Sequence, residues 1–127
     1  MSLRVLVVDD NADSLVITRG ILEPKGYEVM EATSGAEALE LVAQNPPDLI
    51  LLDIMMPGMS GLEVLQQLKE RYETARIPVI LVTAKTADED VVQGYQYGAD
   101  YYITKPFTGT QLLYGIELVL GRENASE

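Results

Sequence analysis

The sequence predicts an α/β fold of three layers, in which five parallel strands form one open sheet with helices on both faces. Two observations support this prediction. Short apolar runs alternate five times with segments that carry helix-start signals, and the connections are long enough to hold a helix. Most of these runs are continuously apolar, which is typical of parallel strands that are covered on both sides.

The predicted strands follow from composition. The second run alternates apolar and polar residues, which indicates a strand near an edge of the sheet, and the fifth run is the weakest. In chain order the runs occupy residues 5–8, 27–32, 49–52, 79–82 and 101–103.

The predicted helices lie between and after these runs. The first extends from about Asn11 to Lys25, with Gly26 available as a stop. Each of the other four begins with a capping box, in which Ser or Thr is followed three residues later by Glu or Gln. These boxes are Ser34 with Glu37, Ser60 with Glu63, Thr86 with Glu89, and Thr108 with Gln111.

Two of the helices show a clear apolar stripe at helical spacing. In the third helix the stripe consists of Leu65, Leu68 and Tyr72. The last helix has the broadest stripe, and Gly121 is placed to end it. That stripe contains Leu112, Leu113, Ile116, Val119 and Leu120.

Size and composition limit the class of protein. The chain has 127 residues, 47% of them hydrophobic, which suits one compact domain. We expect that domain over residues 1–121, followed by a polar tail over 122–127 without periodic pattern. No apolar run reaches the roughly 20 residues that span a bilayer, and no signal-peptide pattern opens the chain, so we expect a cytoplasmic protein.

Charge and missing residue types exclude several functions. The formal net charge is -11, and so acidic a surface repels phosphate backbones and anionic lipid. Direct nucleic-acid or membrane binding is therefore not expected. The chain has no Cys and no His, which excludes disulfides, thiolate metal sites and histidine bases.

Polar side chains follow four of the predicted strands. They are Asp9, Asp10, Asp53, Thr83, Thr104 and Lys105. Parallel strands present their carboxyl ends at one edge of the sheet, so we expect these groups to share a cleft there. Three neighbouring carboxylates require a cation to be stable, and oxygen-only ligands favour Mg²⁺, Mn²⁺ or Ca²⁺ over zinc.

This set of residue types suits phosphoryl transfer. Asp53 ends the strand expected at the centre of the sheet, and a carboxylate can accept a phosphoryl group as an acyl phosphate. Lys105 would place a second positive charge on that group, and Thr83 would donate a hydrogen bond to it. Asp9 and Asp10 are better placed as metal ligands, and the sharp turn after Asp53 could present the carbonyl of Met55 to the metal.

Over essentially the whole chain, the sequence resembles the receiver domains of two-component response regulators. The resemblance depends on four short motifs that are specific in this order and at these spacings. They are residues 7–11 (VVDDN), 52–58 (LDIMMPG), 82–84 (VTA), and 98–100 (GAD) continuing through Tyr102 to 104–107 (TKPF). The resemblance implies a flavodoxin-like fold with five helices and strand order 2-1-3-4-5.

The resemblance also implies roles for individual residues. Asp53 would be the phosphoacceptor, with Mg²⁺, or Mn²⁺ as an alternative, held at the same carboxylate. The metal ligands would be Asp10 directly, Asp9 through water, Asp53, and Met55 through its backbone carbonyl. The phosphoryl contacts would be Thr83 and Lys105, the switch residues Thr83 and Tyr102, and the proline after a cis bond Pro106. The phosphoryl donor would be a phosphohistidine on a sensor histidine kinase or phosphotransfer protein.

Family behaviour further implies an output surface on the fourth helix, fifth strand and fifth helix, used by a downstream protein or a second copy of the chain. Four of the seven tyrosines fall nearby, at 95, 97, 101 and 102, and aromatics are enriched at interfaces. Tyr95 could equally pack in the core.

Two positions depart from the commonest pattern of the family, Tyr101 and Lys85. Lys85 and Met55 lie where family members tune the access of water to the acyl phosphate.

Other interpretations are weaker. Asp9 and Asp10 could simply cap the first helix. An aspartate-nucleophile phosphatase would have a second Asp at the position of Met55. A flavin or nucleotide carrier would have a phosphate-binding loop after the first strand, where this chain has acidic residues. A docking module without phosphoryl chemistry would have no need of the complete set of polar residues. We therefore expect a phosphorylation switch that catalyses only its own phosphoryl transfer and slow autodephosphorylation, and is otherwise not an enzyme.

Overall fold

A computed structural model describes residues 2–84 and 88–125, which form five strands and five helices in strict alternation. The strands are β1 (Arg4–Val8), β2 (Glu28–Ala32), β3 (Leu49–Leu52), β4 (Val79–Thr83) and β5 (Tyr101–Thr104). The helices are α1 (Ala12–Leu22), α2 (Gly35–Gln44), α3 (Gly61–Glu70), α4 (Asp88–Gln96) and α5 (Gly109–Ala125). The predicted α/β architecture is confirmed.

All strand pairs are parallel, and the order across the sheet is β2-β1-β3-β4-β5. This is the predicted flavodoxin-like order. The strands end almost level, because Val8 pairs with Leu52 and Thr83 pairs with Thr104. Residues that follow the strands are therefore brought to one edge of the sheet.

The core has two halves, one on each face of the sheet, because successive strand residues point to opposite sides. One half combines Leu6 and Val8 of β1 with apolar residues of α2 and α3. The other combines Val5 and Val7 of β1 with apolar residues of α1 and α5. Burial of both faces explains why the inner strands read as continuous apolar runs.

Three of the four predicted capping boxes lie in the described residues. The box before α5 is reciprocal: the Gln111 amide donates to the Thr108 hydroxyl at 3.1 Å, and the Thr108 amide donates to the Gln111 side chain at 2.9 Å. Before α2, the Glu37 carboxylate accepts from the amide of Thr33, one residue earlier than the motif predicts. Before α3, the Ser60 hydroxyl accepts from the Glu63 amide. The fourth box depends on Thr86, outside the described residues.

The structure corrects two details of the helix predictions. The prediction that Tyr72 extends the apolar stripe of α3 is wrong, because α3 ends at Glu70 and Tyr72 is 86% exposed. Gly121 does not end α5, which continues to Ala125. A glycine ends a helix by adopting the left-handed conformation, as Gly26 does at φ 90° after the 3-10 turn Glu23–Lys25; Gly121 has no such positive φ.

Candidate functional site

The candidate site lies at the carboxyl ends of β1, β3 and β5. Asp9 and Asp53 directly follow their strands, and backbone hydrogen bonds hold both in place: the Asp9 amide donates to Ala32, and the Asp53 amide donates to Val8, each at 3.0 Å. Both side chains are buried, whereas Asp10 is exposed. The sheet therefore fixes two carboxylates in a poorly solvated position and leaves a third at its rim.

The ammonium group of Lys105 joins the two buried carboxylates. Its nitrogen lies 2.5 Å from Oδ2 of Asp9 and 3.1 Å from Oδ2 of Asp53. Lys105 follows β5, which is separated from β3 by β4, so its long side chain reaches across one strand. The predicted meeting of these three residues is observed.

The second oxygen of each buried carboxylate is fixed by the local backbone. Oδ1 of Asp9 accepts a hydrogen bond from the amide of Asn11, and Oδ1 of Asp53 accepts one from the amide of Met55, both at 2.9 Å. Each bond spans two residues, as in an Asx-turn. These bonds orient the carboxylates, and they place the loop that contains Met55 directly beside Asp53.

Asp9 and Asp10 do not cap α1. That role belongs to Asn11, whose side chain accepts from the amide of Ser14 at 3.0 Å. The helix-capping interpretation of the two aspartates is therefore wrong, and both remain available to the site.

The three carboxylates form a cluster that could hold a cation. One oxygen from each of Asp9, Asp10 and Asp53 lies within 4.8 Å of the others. Three formal negative charges against the one positive charge of Lys105 leave an excess of two, which a divalent cation would neutralise. Oxygen donors at this spacing fit Mg²⁺ or another hard cation.

The titration of the site reflects its burial. Burial raises the pKa of Asp53 above its usual value, and repulsion from Asp9 adds to this, while the Met55 amide and Lys105 only partly offset it. Burial alone would lower the pKa of Lys105, but its hydrogen bonds and attraction to Asp9 and Asp53 outweigh that effect and leave the pKa raised. For Lys105, attraction to two carboxylates outweighs burial, whereas for Asp53, burial outweighs the attraction to one ammonium. Both pKa values are therefore raised.

The remaining predicted residues lie around this centre. Thr83 is fully buried at the end of β4, and its carbonyl accepts from the amide of Lys105 at 2.9 Å. Tyr102 lies earlier in β5, opposite Leu81, and packs against the core half that contains α3. The Lys105–Pro106 peptide bond is cis. Lys85 lies outside the described residues.

The tyrosine group divides by exposure. Tyr95 and Tyr97 on and after α4 are 47% and 37% exposed, whereas Tyr101 and Tyr102 are half-buried in β5. The core-packing alternative for Tyr95 is therefore disfavoured. Tyr114 of α5 is 60% exposed and lines the same groove as Tyr101 and Tyr102.

One residue that matters to the site was not found by sequence reasoning. A Cβ atom on Gly61 would lie 2.1 Å from the backbone oxygen of Asp53 and 2.7 Å from Cα of Ile54. The first turn of α3 therefore packs directly on the backbone of the site. The available signal was a glycine at the first helical position after the Ser60 cap, where glycine has no advantage for the helix itself.

Comparison with known proteins gives a consistent result. A family model described as the response regulator receiver domain matches residues 5–117. The phosphate regulon transcriptional regulatory protein PhoB of Pseudomonas aeruginosa strain PAO1 is 42% identical over 118 residues, which are 93% of this chain and 52% of PhoB. The chain thus spans about half the length of this curated relative.

Solved structures agree over the full fold. A CheY-like response regulator receiver domain protein from Methanospirillum hungatei JF-1 has a TM-score of 0.93 at 33% identity, covering 100% of both chains. Chemotaxis protein CheY4 of Vibrio cholerae has a TM-score of 0.89 at 30% identity, covering 94% of this chain and 99% of CheY4. Among the described residues, none of the helices has the length and apolar content to cross a membrane. The chain is a receiver domain of the response regulator family of two-component systems.

Proposed function

We propose that this domain accepts a phosphoryl group on Asp53 from a phosphohistidine of a partner and thereby switches a protein-interaction surface. The observation that carries the proposal is the position of the Asp53 carboxylate. It is buried, it lies 3.1 Å from the Lys105 ammonium, and it clusters with Asp9 and Asp10. A carboxylate nucleophile beside a fixed positive charge and a cation site suits phosphoryl transfer.

The cation would be Mg²⁺, with Mn²⁺ as an alternative. Asp9, Asp10 and Asp53 would hold it, with the backbone carbonyl of Met55 as a further ligand. When bound, it would neutralise negative charge on the carboxylates and on the phosphoryl oxygens. The oxygen-only donor set and the excess negative charge support this choice.

In the proposed transfer, a carboxylate oxygen of Asp53 attacks phosphorus, an O–P bond forms, and the N–P bond of the donor phosphohistidine breaks. The donor imidazole keeps the electron pair of that bond and takes a proton from water. Lys105, already placed beside Asp53, would then pair with the phosphoryl group, and the buried hydroxyl of Thr83 would donate to it. The chain contains no His, so the donor histidine lies outside these 127 residues, and a sensor histidine kinase or phosphotransfer protein would supply it.

The signal would pass from Thr83 to the surface through β5. Thr83 and Lys105 are already joined by a backbone hydrogen bond, and Tyr102 lies two residues before the last residue of the same strand. Movement of Thr83 and Tyr102 would change the face formed by α4, β5 and α5. Exposed aromatic groups on that face, including Tyr95 and Tyr114, suit contact with a downstream protein or a second copy of the chain.

This proposal includes a cytoplasmic location and no direct contact of this domain with nucleic acid or membrane, consistent with its net charge of -11. Apart from its own phosphoryl transfer and slow autodephosphorylation, the domain would have no enzymatic activity. The domain would extend over residues 1–121, with 122–127 as a polar tail whose first residues continue α5 to Ala125.

The proposal is tested by incubating the protein with acetyl phosphate and Mg²⁺ and measuring intact mass. We expect the mass of one added phosphoryl group, lost in Asp53→Asn and absent when EDTA replaces Mg²⁺. The matched control is Asp13→Asn, which changes an exposed aspartate in the first turn of α1 and should leave labelling intact. If the wild-type mass does not change, the proposal is wrong and a docking role without phosphoryl chemistry becomes the better interpretation.

A further inference from the structure

A small cavity lies beneath the carboxylate site, between the sheet and helices α1 and α5. Its walls include Asp9, Asp53 and Lys105, several apolar core residues, and Thr18 of α1. Its volume is about 10 Å³, which is close to the minimum that holds one water molecule. A cavity of this size, with four polar residues among its mostly apolar walls, has room for a single ordered water.

Thr18 is the unusual member of this wall. It is only 6% exposed, and the neighbouring inward-facing residues of α1, Leu15 and Leu22, are apolar. A buried hydroxyl needs a hydrogen-bond partner. Thr74, another buried threonine, donates to the carbonyl of Leu68 at 2.5 Å, whereas Thr18 lines the cavity beside the charged groups.

The site also has unused hydrogen-bonding capacity. The Lys105 ammonium has three N–H donors, and its contacts with Asp9 and Asp53 account for two of them. A carboxylate oxygen has more than one lone pair, so Oδ2 of either aspartate can accept a second bond. A water in the cavity can therefore find the two to four polar partners that buried waters require.

We propose that this cavity holds one ordered water that links the Thr18 hydroxyl to the Asp9–Lys105–Asp53 group, which makes Thr18 a positioning residue for Lys105. The water bonds to the Thr18 hydroxyl on one side and to the ion-paired groups on the other. It limits the positions that the Lys105 side chain can take behind the carboxylates. The effect on phosphoryl transfer rests on the proposed function; the presence of the water does not.

The chain offers a matched set of variants. Thr18→Val removes the hydroxyl and keeps the branched shape, and Thr18→Ser restores the hydroxyl. Thr74→Val removes a buried hydroxyl in the turn after α3, where it donates to the carbonyl of Leu68, and controls for general loss of stability. None of these variants replaces Asp9, Asp53 or Lys105.

The first measurement is a crystal structure at a resolution that shows ordered water. We expect a water within hydrogen-bond distance of the Thr18 hydroxyl and of Asp9, Asp53 or Lys105 in the wild type and in Thr18→Ser. In Thr18→Val we expect no water there and a second conformer of Lys105. A wild-type cavity without water at Thr18, or an unchanged water and lysine in Thr18→Val, would overturn the inference whatever the phosphorylation result.

The second measurement is the rate of labelling by acetyl phosphate with Mg²⁺. We expect Thr18→Val to be labelled about 3- to 10-fold more slowly than wild type; a tenfold change corresponds to about 1.4 kcal/mol in the activation free energy. Thr18→Ser and Thr74→Val should be labelled within about 2-fold of the wild-type rate. Equal rates for Thr18→Val and wild type, or an equal loss in Thr74→Val, would contradict a positioning role. If the wild type itself takes no label, the proposed function fails, and the crystallographic result still decides whether the water is present.

Discussion

Lys105 and Asp9 are 96 residues apart in the sequence, and their side chains form a 2.5 Å ion pair at the carboxyl end of the sheet. The pair joins the segment after β5 to the segment after β1, so it forms only when these distant strands are assembled into the sheet. Asp53 shares the same ammonium at 3.1 Å. Two buried carboxylates therefore depend on one cationic side chain.

Addition of Mg²⁺ should raise the melting temperature. At about ten times the dissociation constant, ligand binding to the folded state adds about 1.4 kcal/mol, which corresponds to roughly 3–6 °C for a domain of this size. Differential scanning calorimetry checks this, with sodium chloride of equal ionic strength as control. Asp10→Asn, at the exposed rim, should reduce the shift. An unchanged melting temperature at millimolar Mg²⁺ would contradict the cation site.

Asp53→Asn should stabilise the metal-free protein at neutral pH. Burial raises the pKa of Asp53 in the folded state above its ordinary value of 3.8. The protonated carboxyl therefore stabilises the folded state relative to the ionised one, and this stabilisation is lost as the pH rises from 3.8 through the raised pKa. The variant lacks this loss and should therefore melt at a higher temperature than the wild type at pH 7. Melting curves between pH 4 and pH 7 should show the difference grow with pH; a difference that shrinks would have the wrong sign.

Lys105→Met should have opposite effects on stability and on metal binding. Without the ammonium, Asp9 and Asp53 are left as buried charges without their partner, so the metal-free protein should lose about 1–3 kcal/mol in urea unfolding. The same loss of positive charge should strengthen Mg²⁺ binding and enlarge its thermal shift. Lys25→Met, at an exposed position, is the control, and a smaller Mg²⁺ shift in Lys105→Met would argue against the electrostatic account.

Gly61→Ala should destabilise the fold and disturb the site. The added Cβ would lie 2.1 Å from the backbone oxygen of Asp53, so α3 or the loop must shift, at a cost of about 1–3 kcal/mol. Gly20→Ala is the matched control, because the added Cβ, in the last turn of α1, would meet no atom of another element within 4 Å. That change should stabilise by about 0.5–1 kcal/mol. Urea denaturation of both variants checks the opposite signs.

Local sequence determined most of the architecture. Continuous apolar runs predicted strands covered on both faces, and the capping boxes placed three described helix starts, because both signals depend on residues that are close in the chain. The strand ends identified Asp9, Asp53 and Lys105 as neighbours, since parallel strands deliver their carboxyl ends to one edge. The order of the strands required the resemblance to a known family in addition to these patterns.

Tertiary structure decided what depends on distant contacts. Sequence could not show that Tyr72 projects away from the core, since its spacing from Leu65 and Leu68 suited a helix that in fact ends at Glu70. Nor could it show the close approach of Gly61 to Asp53, or that Thr18 borders the same small cavity as the charged site. Periodicity gives the direction of a side chain from its own helix, whereas packing, burial and the shift of the Asp53 pKa depend on which atoms of other elements surround it.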